Sequence, residues 1–397
     1  MRLADFKLER YFARYEFAAP YLLGSSDVEA LRLPELLALA DPESRALWDE
    51  LGLGYTESAG HPLLRQEIAG LYAGLAPEET LVFSGAEEAI FALLNVTLGA
   101  GDHAVVTWPA YQSLHEVARG TGAAVTLLPL RAEEGWALDL AALRAAIRPN
   151  TRLIVANFPH NPTGALPDVA TFAGLLDVAR ECGAWLLSDE VYRLLEYDPA
   201  DRLPAAADRY ERAISLGVMS KAFALAGLRI GWVATHDAEL LARLQAFKDY
   251  LTICNSAPSE VLALIALRAR EAVLARSMGI ITRNLAHVDA FFARWPERFA
   301  WTRPRVGPIG FPHLLGGDSI DRFAADLVAA EGVMLLPGSV YDAPGQHFRL
   351  GFARHNLPDA LARLERFCEA RYGPTSIDPP SAGSMYRPYQ TGGDRRG

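Results

Sequence analysis

The sequence predicts an α/β protein: a seven-stranded, mainly parallel sheet sandwiched by helices, joined to a smaller α+β domain. Two observations predict this. Between residues 80 and 235, seven short and almost unbroken apolar runs alternate with segments of helical period, as expected of strands buried on both faces of a parallel sheet. The chain has 397 residues, 51% of them hydrophobic, which is long for one core and fits two domains.

The elements follow in order. The first 40 residues mix aromatic and charged types and carry a loop at Gly24-Ser25-Ser26-Asp27. The seven runs are TLVFSG (80–85), HAVVTW (103–108), AAVTLLPL (123–130), RLIVANF (152–158), AWLLSDEVY (184–192), AISLGVMS (213–220) and RIGWVAT (229–235). Helical segments such as PDVATFAGLLDVARECG separate most of them. From Asp237 to about residue 295 the pattern is helical, followed by a strand in HFRLGFA (347–353) and a closing helix at 357–371. The expected division is an arm at 1–40, a large domain at 41–255, a small domain at 256–373 and a flexible, Pro- and Gly-rich tail at 374–397.

A net charge of −10 argues against nucleic acid or an anionic membrane as the main partner. Cys182, Cys254 and Cys368 are far apart and show no metal or disulfide spacing, so no metal is expected. The N-terminus lacks a secretory apolar core, and no apolar run reaches bilayer length. A cytoplasmic location is expected.

Ligands of open parallel sheets sit at the carboxyl ends of the strands. Lys221 directly follows the run ending Val218-Met219-Ser220, and it is one of only three lysines among 38 basic residues. Arginine cannot form an imine, whereas a partly buried lysine is a reactive amine. The other two, Lys7 and Lys248, read as solvated charges, Lys248 on an amphipathic helix. Asp189 stands inside an apolar run, where an acid needs a partner, either a protonated heterocycle or an arginine, unless it sits at a water-exposed strand end. Tyr192 brings a phenol to the same crevice. Asn161 lies in FPHNPTG (158–164), which also serves as a plain turn. Gly85 bends the chain into a helix start, which is either a natural phosphate cradle of backbone amides or an ordinary small-residue turn. Arg229 offers a phosphate contact or a surface ion pair. Tyr111 offers a ring to stack on a flat ligand or to cap the core.

Four segments, HNPTG, SDEVY, SKAFALAGLRIGW and PGSVYDAPGQHFRLGFA, resemble in order and spacing the class I/II pyridoxal-phosphate-dependent aminotransferases, the aspartate aminotransferase superfamily of fold type I. The resemblance covers roughly residues 20–370. It implies pyridoxal 5'-phosphate bound to Lys221 as a Schiff base. Asp189 is then the partner of the pyridine nitrogen, Tyr192 and Asn161 bond the ring oxygen, and Tyr111 stacks on the ring. The phosphate falls to the amides of Ala86 and Glu87, to Ser220 and to Arg229. Val218 stands where many relatives have a further serine. Tyr55 matches a tyrosine that reaches the neighbouring subunit's phosphate, which implies a homodimer with shared active sites.

By the same likeness Arg349 takes the substrate α-carboxylate, and the backbone of Gly24 passes close to the substrate. The implied reaction moves an amino group from an L-amino acid to a 2-oxo acid. The alternative is a lyase or cyclase of the same fold, since ERYF and the serine-containing loop resemble capreomycidine synthases, which cyclise an arginine derivative. A ligand sensor and a lysine-imine aldolase barrel fit the motifs less well. For the far end of the substrate, Arg14, Arg32 or an arginine of a second subunit are candidates to bind a distal carboxylate. Phe17, Tyr21 and Leu22 instead suggest an apolar lining for a neutral or aromatic side chain.

Overall fold

A computed structural model of the chain describes residues 2–374. All but the first residue of the tail expected at 374–397 lies outside them. Each apolar run forms one strand: β1 (Thr80–Phe83), β2 (His103–Trp108), β3 (Ala124–Pro129), β4 (Thr151–Asn157), β5 (Trp185–Asp189), β6 (Ala213–Val218) and β7 (Gly231–Ala234). They make a single sheet in the order β1-β7-β6-β5-β4-β2-β3. Only β7 runs against its neighbours, and the remaining pairs are parallel.

Alternate residues of each strand enter two separate cores. Leu81, Phe83, Val106, Val155 and Leu187 pack on one face, while Val82, Val105, Ile154 and Leu186 pack on the other. Both faces are apolar because both are covered, which is why the strands read as runs without alternation. On the first face lie α2 (Ala86–Thr97) and α3 (Gln112–Gly120), on the second α4 (Val169–Cys182). Asp168 caps α4 by accepting from the Thr171 amide at 2.7 Å, and Gly183 ends it in the left-handed region.

Helices α5 (Ala238–Lys248), α6 (Ala257–Arg268) and α7 (Arg270–Arg294) follow. Lys248 overturns the expectation of a solvated charge. It is fully buried, and its Nζ donates to the carbonyls of Ser58 at 2.9 Å and Ile253 at 3.2 Å. The chain after α5 folds back over the helix end, with the amides of Leu251 and Ile253 returning to the Lys248 carbonyl. Burial pushes the amine's pKa down.

A second, three-stranded antiparallel sheet places β10 (Phe348–Gly351) between β8 (Ile309–Gly310) and β9 (Leu336–Pro337). The N-terminal arm joins this region: Tyr21 and Leu22 pair with Val333 and Met334. Ahead of them α1 (Lys7–Tyr15) lies across the rim of the large sheet. Its Tyr11 hydroxyl donates to the Leu335 carbonyl at 2.8 Å, and the Lys7 amide donates to Gln112 at 2.9 Å. No described helix is long and apolar enough to cross a membrane.

Candidate active site

One cavity of about 380 Å³ opens where the carboxyl rim of the sheet, β10 and the arm converge. Lys221, Asp189, Asn161 and Arg349 all line it.

Asp189 ends β5, with its backbone registered against Asn157 and Leu216. Among the described residues its carboxylate accepts only the Val191 amide, at 3.3 Å. Burial pushes its pKa up to about 7, and neighbouring Lys221 only partly counters this. It is a buried acid without a cationic contact, as expected where a ligand supplies the cation. Lys221 lies three residues beyond β6, and its Nζ donates to Ser26 Oγ at 2.9 Å. Burial lowers this amine to about 8, against the pull of Asp27. The ammonium stands 5.8 Å from the centre of the Tyr192 ring. Tyr192 is itself buried and donates to the Ser26 carbonyl at 3.1 Å.

The turn carrying Asn161 is built by neighbouring side chains. Asn157 Oδ1 accepts the Asn161 amide at 2.7 Å, and Asn157 Nδ2 donates to the Asp189 carbonyl at 2.9 Å. Gly164 closes the turn at φ +68, where a Cβ would sit 2.5 Å from Pro304 and 2.7 Å from the Ile309 carbonyl. Asn161 Oδ1 accepts from Tyr341 at 3.1 Å and from Arg349 at 3.2 Å. Its amide nitrogen remains for the cavity.

Arg349 is 1% exposed, and its hydrogen-bond partners among the described residues are all neutral. It donates twice to the Gly24 carbonyl, at 3.0 and 2.8 Å, once to Asn161 and once to the Tyr341 hydroxyl. A buried guanidinium without a carboxylate is suited to an anionic ligand. Gly24 thus acts here through its carbonyl.

At the opposite corner Gly85, at φ +92, turns β1 into α2. A Cβ there would lie 2.5 Å from Arg229 Nη2, so only glycine lets the guanidinium reach the helix start. Ala86, Glu87, Ser220 and Tyr111 line the same corner. Val218 lines it too. The Glu87 side chain adds an unforeseen feature: it accepts from Ser113, while its other oxygen is buried without a partner. Burial raises its pKa.

The structure does not bring Tyr55 to this cavity; its side chain is 91% exposed. The apolar lining expected from Phe17, Tyr21 and Leu22 is not there either, and the arm's apolar side chains on the cavity are Leu8 and Phe12. Phe17 is 93% exposed, and neither Tyr21 nor Leu22 lines the cavity, because the arm pairs with Val333 and Met334 there. Arg14 and Arg32 lie away from it as well, Arg32 paired with Glu35 at the surface. In their place the arm contributes Glu9, Phe12, Glu16, Ser26 and Asp27. Sequence reasoning flagged the Ser25-Ser26 loop and the segment holding Tyr341, but no local signal tells which way their side chains point.

A mainly parallel sheet with a lysine, an acid and an arginine around one crevice fits a pyridoxal-phosphate enzyme of fold type I. The chain belongs to the aminotransferase class I and II family, whose family model matches residues 23–369. Capreomycidine synthase of Streptomyces vinaceus is 32% identical over 367 residues, 91% of this chain and 92% of that protein. A PLP-dependent aminotransferase from Streptococcus suis 89-1591 has a closely similar solved structure, with a TM-score of 0.88 and 32% identity, covering 93% of this chain and 99% of that one. The PLP-dependent cyclase OrfR superposes with a TM-score of 0.85 at 29% identity, over 94% and 98% of the two chains. The family's cofactor is pyridoxal phosphate. The residues present fit it, with a glycine-lined cationic corner for phosphate, an unpaired buried acid for the ring nitrogen and a lysine amine between them.

Proposed function

We propose that this enzyme is an aminotransferase that moves the amino group of an L-amino acid to a 2-oxo acid, with Lys221 carrying the cofactor and moving the proton. The observation behind this reading is one cavity that holds a lysine amine of lowered pKa, a buried acid lacking a cation and a buried arginine lacking an anion. When bound, pyridoxal phosphate supplies an aldehyde carbon that accepts the amino group and a ring that withdraws electrons from the substrate Cα.

The chain's own groups set up the rest. Arg349, with one N–H of its guanidinium not engaged by Gly24, Asn161 or Tyr341, takes the α-carboxylate and turns Cα toward Lys221. The Lys221 amine, lowered by burial to about 8, would take the proton from the substrate Cα once it is free. Asp189 keeps a proton on the ring nitrogen. Asn161, its oxygen occupied by Arg349 and Tyr341, offers its amide N–H to the ring oxygen beside Tyr192. Tyr111 covers the ring, and Arg229, Ser220 and the amides of Ala86 and Glu87 hold the phosphate. Tyr55, so fully exposed in its own chain, serves the site of a second copy, and the working form is a homodimer.

A second reading, a cyclase or lyase, is favoured by the likeness to capreomycidine synthase and OrfR. A half-reaction separates the two. The loaded enzyme is mixed with single amino acids and no 2-oxo acid, and both its visible absorbance and the products are followed. Loss of the visible band with one 2-oxo acid released per site supports transamination. Persistence of the band while ammonia or a cyclised product accumulates rejects it.

A further inference from the structure

The roles proposed above leave one wall of the cavity unassigned, and the arm builds it. Glu9, Phe12 and Glu16 lie at i, i+3 and i+7 on and just past α1, and therefore along one helix face. The Phe12 ring centre is 5.7 Å from the Arg349 guanidinium carbon, which sets this face beside the α-carboxylate position. Among the described residues Glu9 receives only the Tyr111 hydroxyl, at 3.5 Å. Among the described residues neither Glu9 nor Glu16 forms an ion pair, while Asp27 accepts from Arg354 at 2.8 Å.

Glu16 caps the C-terminal end of α1, where the helix dipole already disfavours an anion. Burial, Asp27 and Glu9 push its pKa up. Ser25, 4% exposed, lines the same cavity with a hydroxyl that has no hydrogen-bond partner among the described residues. The arginines on the cavity, among the described residues, are Arg229 and Arg349, both already assigned. A distal carboxylate would face like charge with no free cation, and an apolar side chain would strip water from unpaired acids.

We propose that the substrate is an amino acid whose side chain ends in a cation, a guanidinium or an ammonium, held by Glu9 and Glu16 with Asp27 behind them. This rests on the reading that Arg349 takes the α-carboxylate. Flat guanidinium meets a carboxylate through two parallel hydrogen bonds, whereas ammonium acts as a point charge.

The test is calorimetric binding to the loaded enzyme, using analogues of arginine, ornithine and lysine that lack the α-amino group and so cannot react. Hexanoate and adipate serve as neutral and dianionic comparisons. The cationic analogues are expected to bind at least about tenfold more tightly than hexanoate, with the advantage shrinking as salt is added. In the Glu9→Gln, Glu16→Gln double variant the advantage falls to within about threefold. Hexanoate or adipate binding as tightly as the cationic analogues overturns the proposal, as does a preference that survives both substitutions. The readout does not depend on the reaction that follows. A cyclase with this preference removes the aminotransferase reading alone, and an aminotransferase without it removes this inference alone.

Discussion

The carboxyl rim of the large sheet and the N-terminal arm face each other across one cavity, yet they are held by different means. On the rim, Asp189 is locked by backbone register between Asn157 and Leu216, and Lys221 follows a six-residue buried strand. The arm has a two-residue pairing at Tyr21 and Leu22. Beyond that it depends on individual bonds such as Tyr11 to Leu335 and Lys7 to Gln112. Groups embedded in a ladder open only with the domain, whereas an element tied by a few bonds opens at lower cost. The rim is therefore the place for steps that tolerate no displacement, and the arm is the place for contacts that differ from one substrate to another.

That comparison breaks first at Lys221. Replacing it with alanine is expected to lower turnover about 10⁴-fold while the binding of unreactive substrate analogues changes little. Turnover within tenfold of the parent would put the reactive amine elsewhere, although Lys7 and Lys248 are the only other lysines. Next comes Asp189→Asn, for which turnover should fall by roughly 10²- to 10³-fold, with an opposite effect on the stability of the cofactor-free protein. The folded-state pKa of about 7 lies above the ordinary 3.8. Between those values the folded chain binds more protons than the unfolded one, and stability falls as pH rises. The variant should therefore melt roughly 2–4 °C higher than the parent at pH 8, with the gap closing toward pH 4. A variant that melts lower at pH 8 would mean that the parent carboxylate already has a cation.

Legibility follows the same division. Asp189 and Lys221 could be singled out from sequence because a charge within or just after an apolar run marks itself, whereas Asn161 read as a plain turn until the family resemblance gave it a role. Glu9, Phe12 and Glu16 read as an ordinary amphipathic helix, since nothing within nine residues of sequence tells which surface that helix will cover. Phe17 misled in the other direction, as an aromatic at a helix end that the fold leaves in solvent. Lys248 failed for a related reason: a cation in the last turn of α5 fits the helix dipole, while its burial depends on a loop that returns over it. Lys248→Met should cost about 1–3 kcal/mol of stability by orphaning the carbonyls of Ser58 and Ile253, while leaving kcat close to the parent value. Denaturant unfolding beside steady-state kinetics checks both halves. A large drop in kcat with unchanged stability would make this second buried lysine part of the site.

The smallest effect concerns the one hydrogen bond that directly joins the reactive amine to the arm, from Lys221 Nζ to Ser26 Oγ at 2.9 Å. A bond donated by an ammonium favours the charged form. Ser26→Ala should therefore move the Lys221 pKa further down from about 8, by less than about one pH unit, with a change in turnover of roughly threefold. The backbone carbonyl of Ser26 still accepts from Tyr192, so the loop keeps its place. The midpoint is read in the cofactor-free protein from the pH dependence of amine acylation at Lys221, with Lys7 as the exposed reference. A midpoint that rises in the variant would mean that Ser26 opposes the ammonium, and the rim would then set the amine's reactivity without help from the arm.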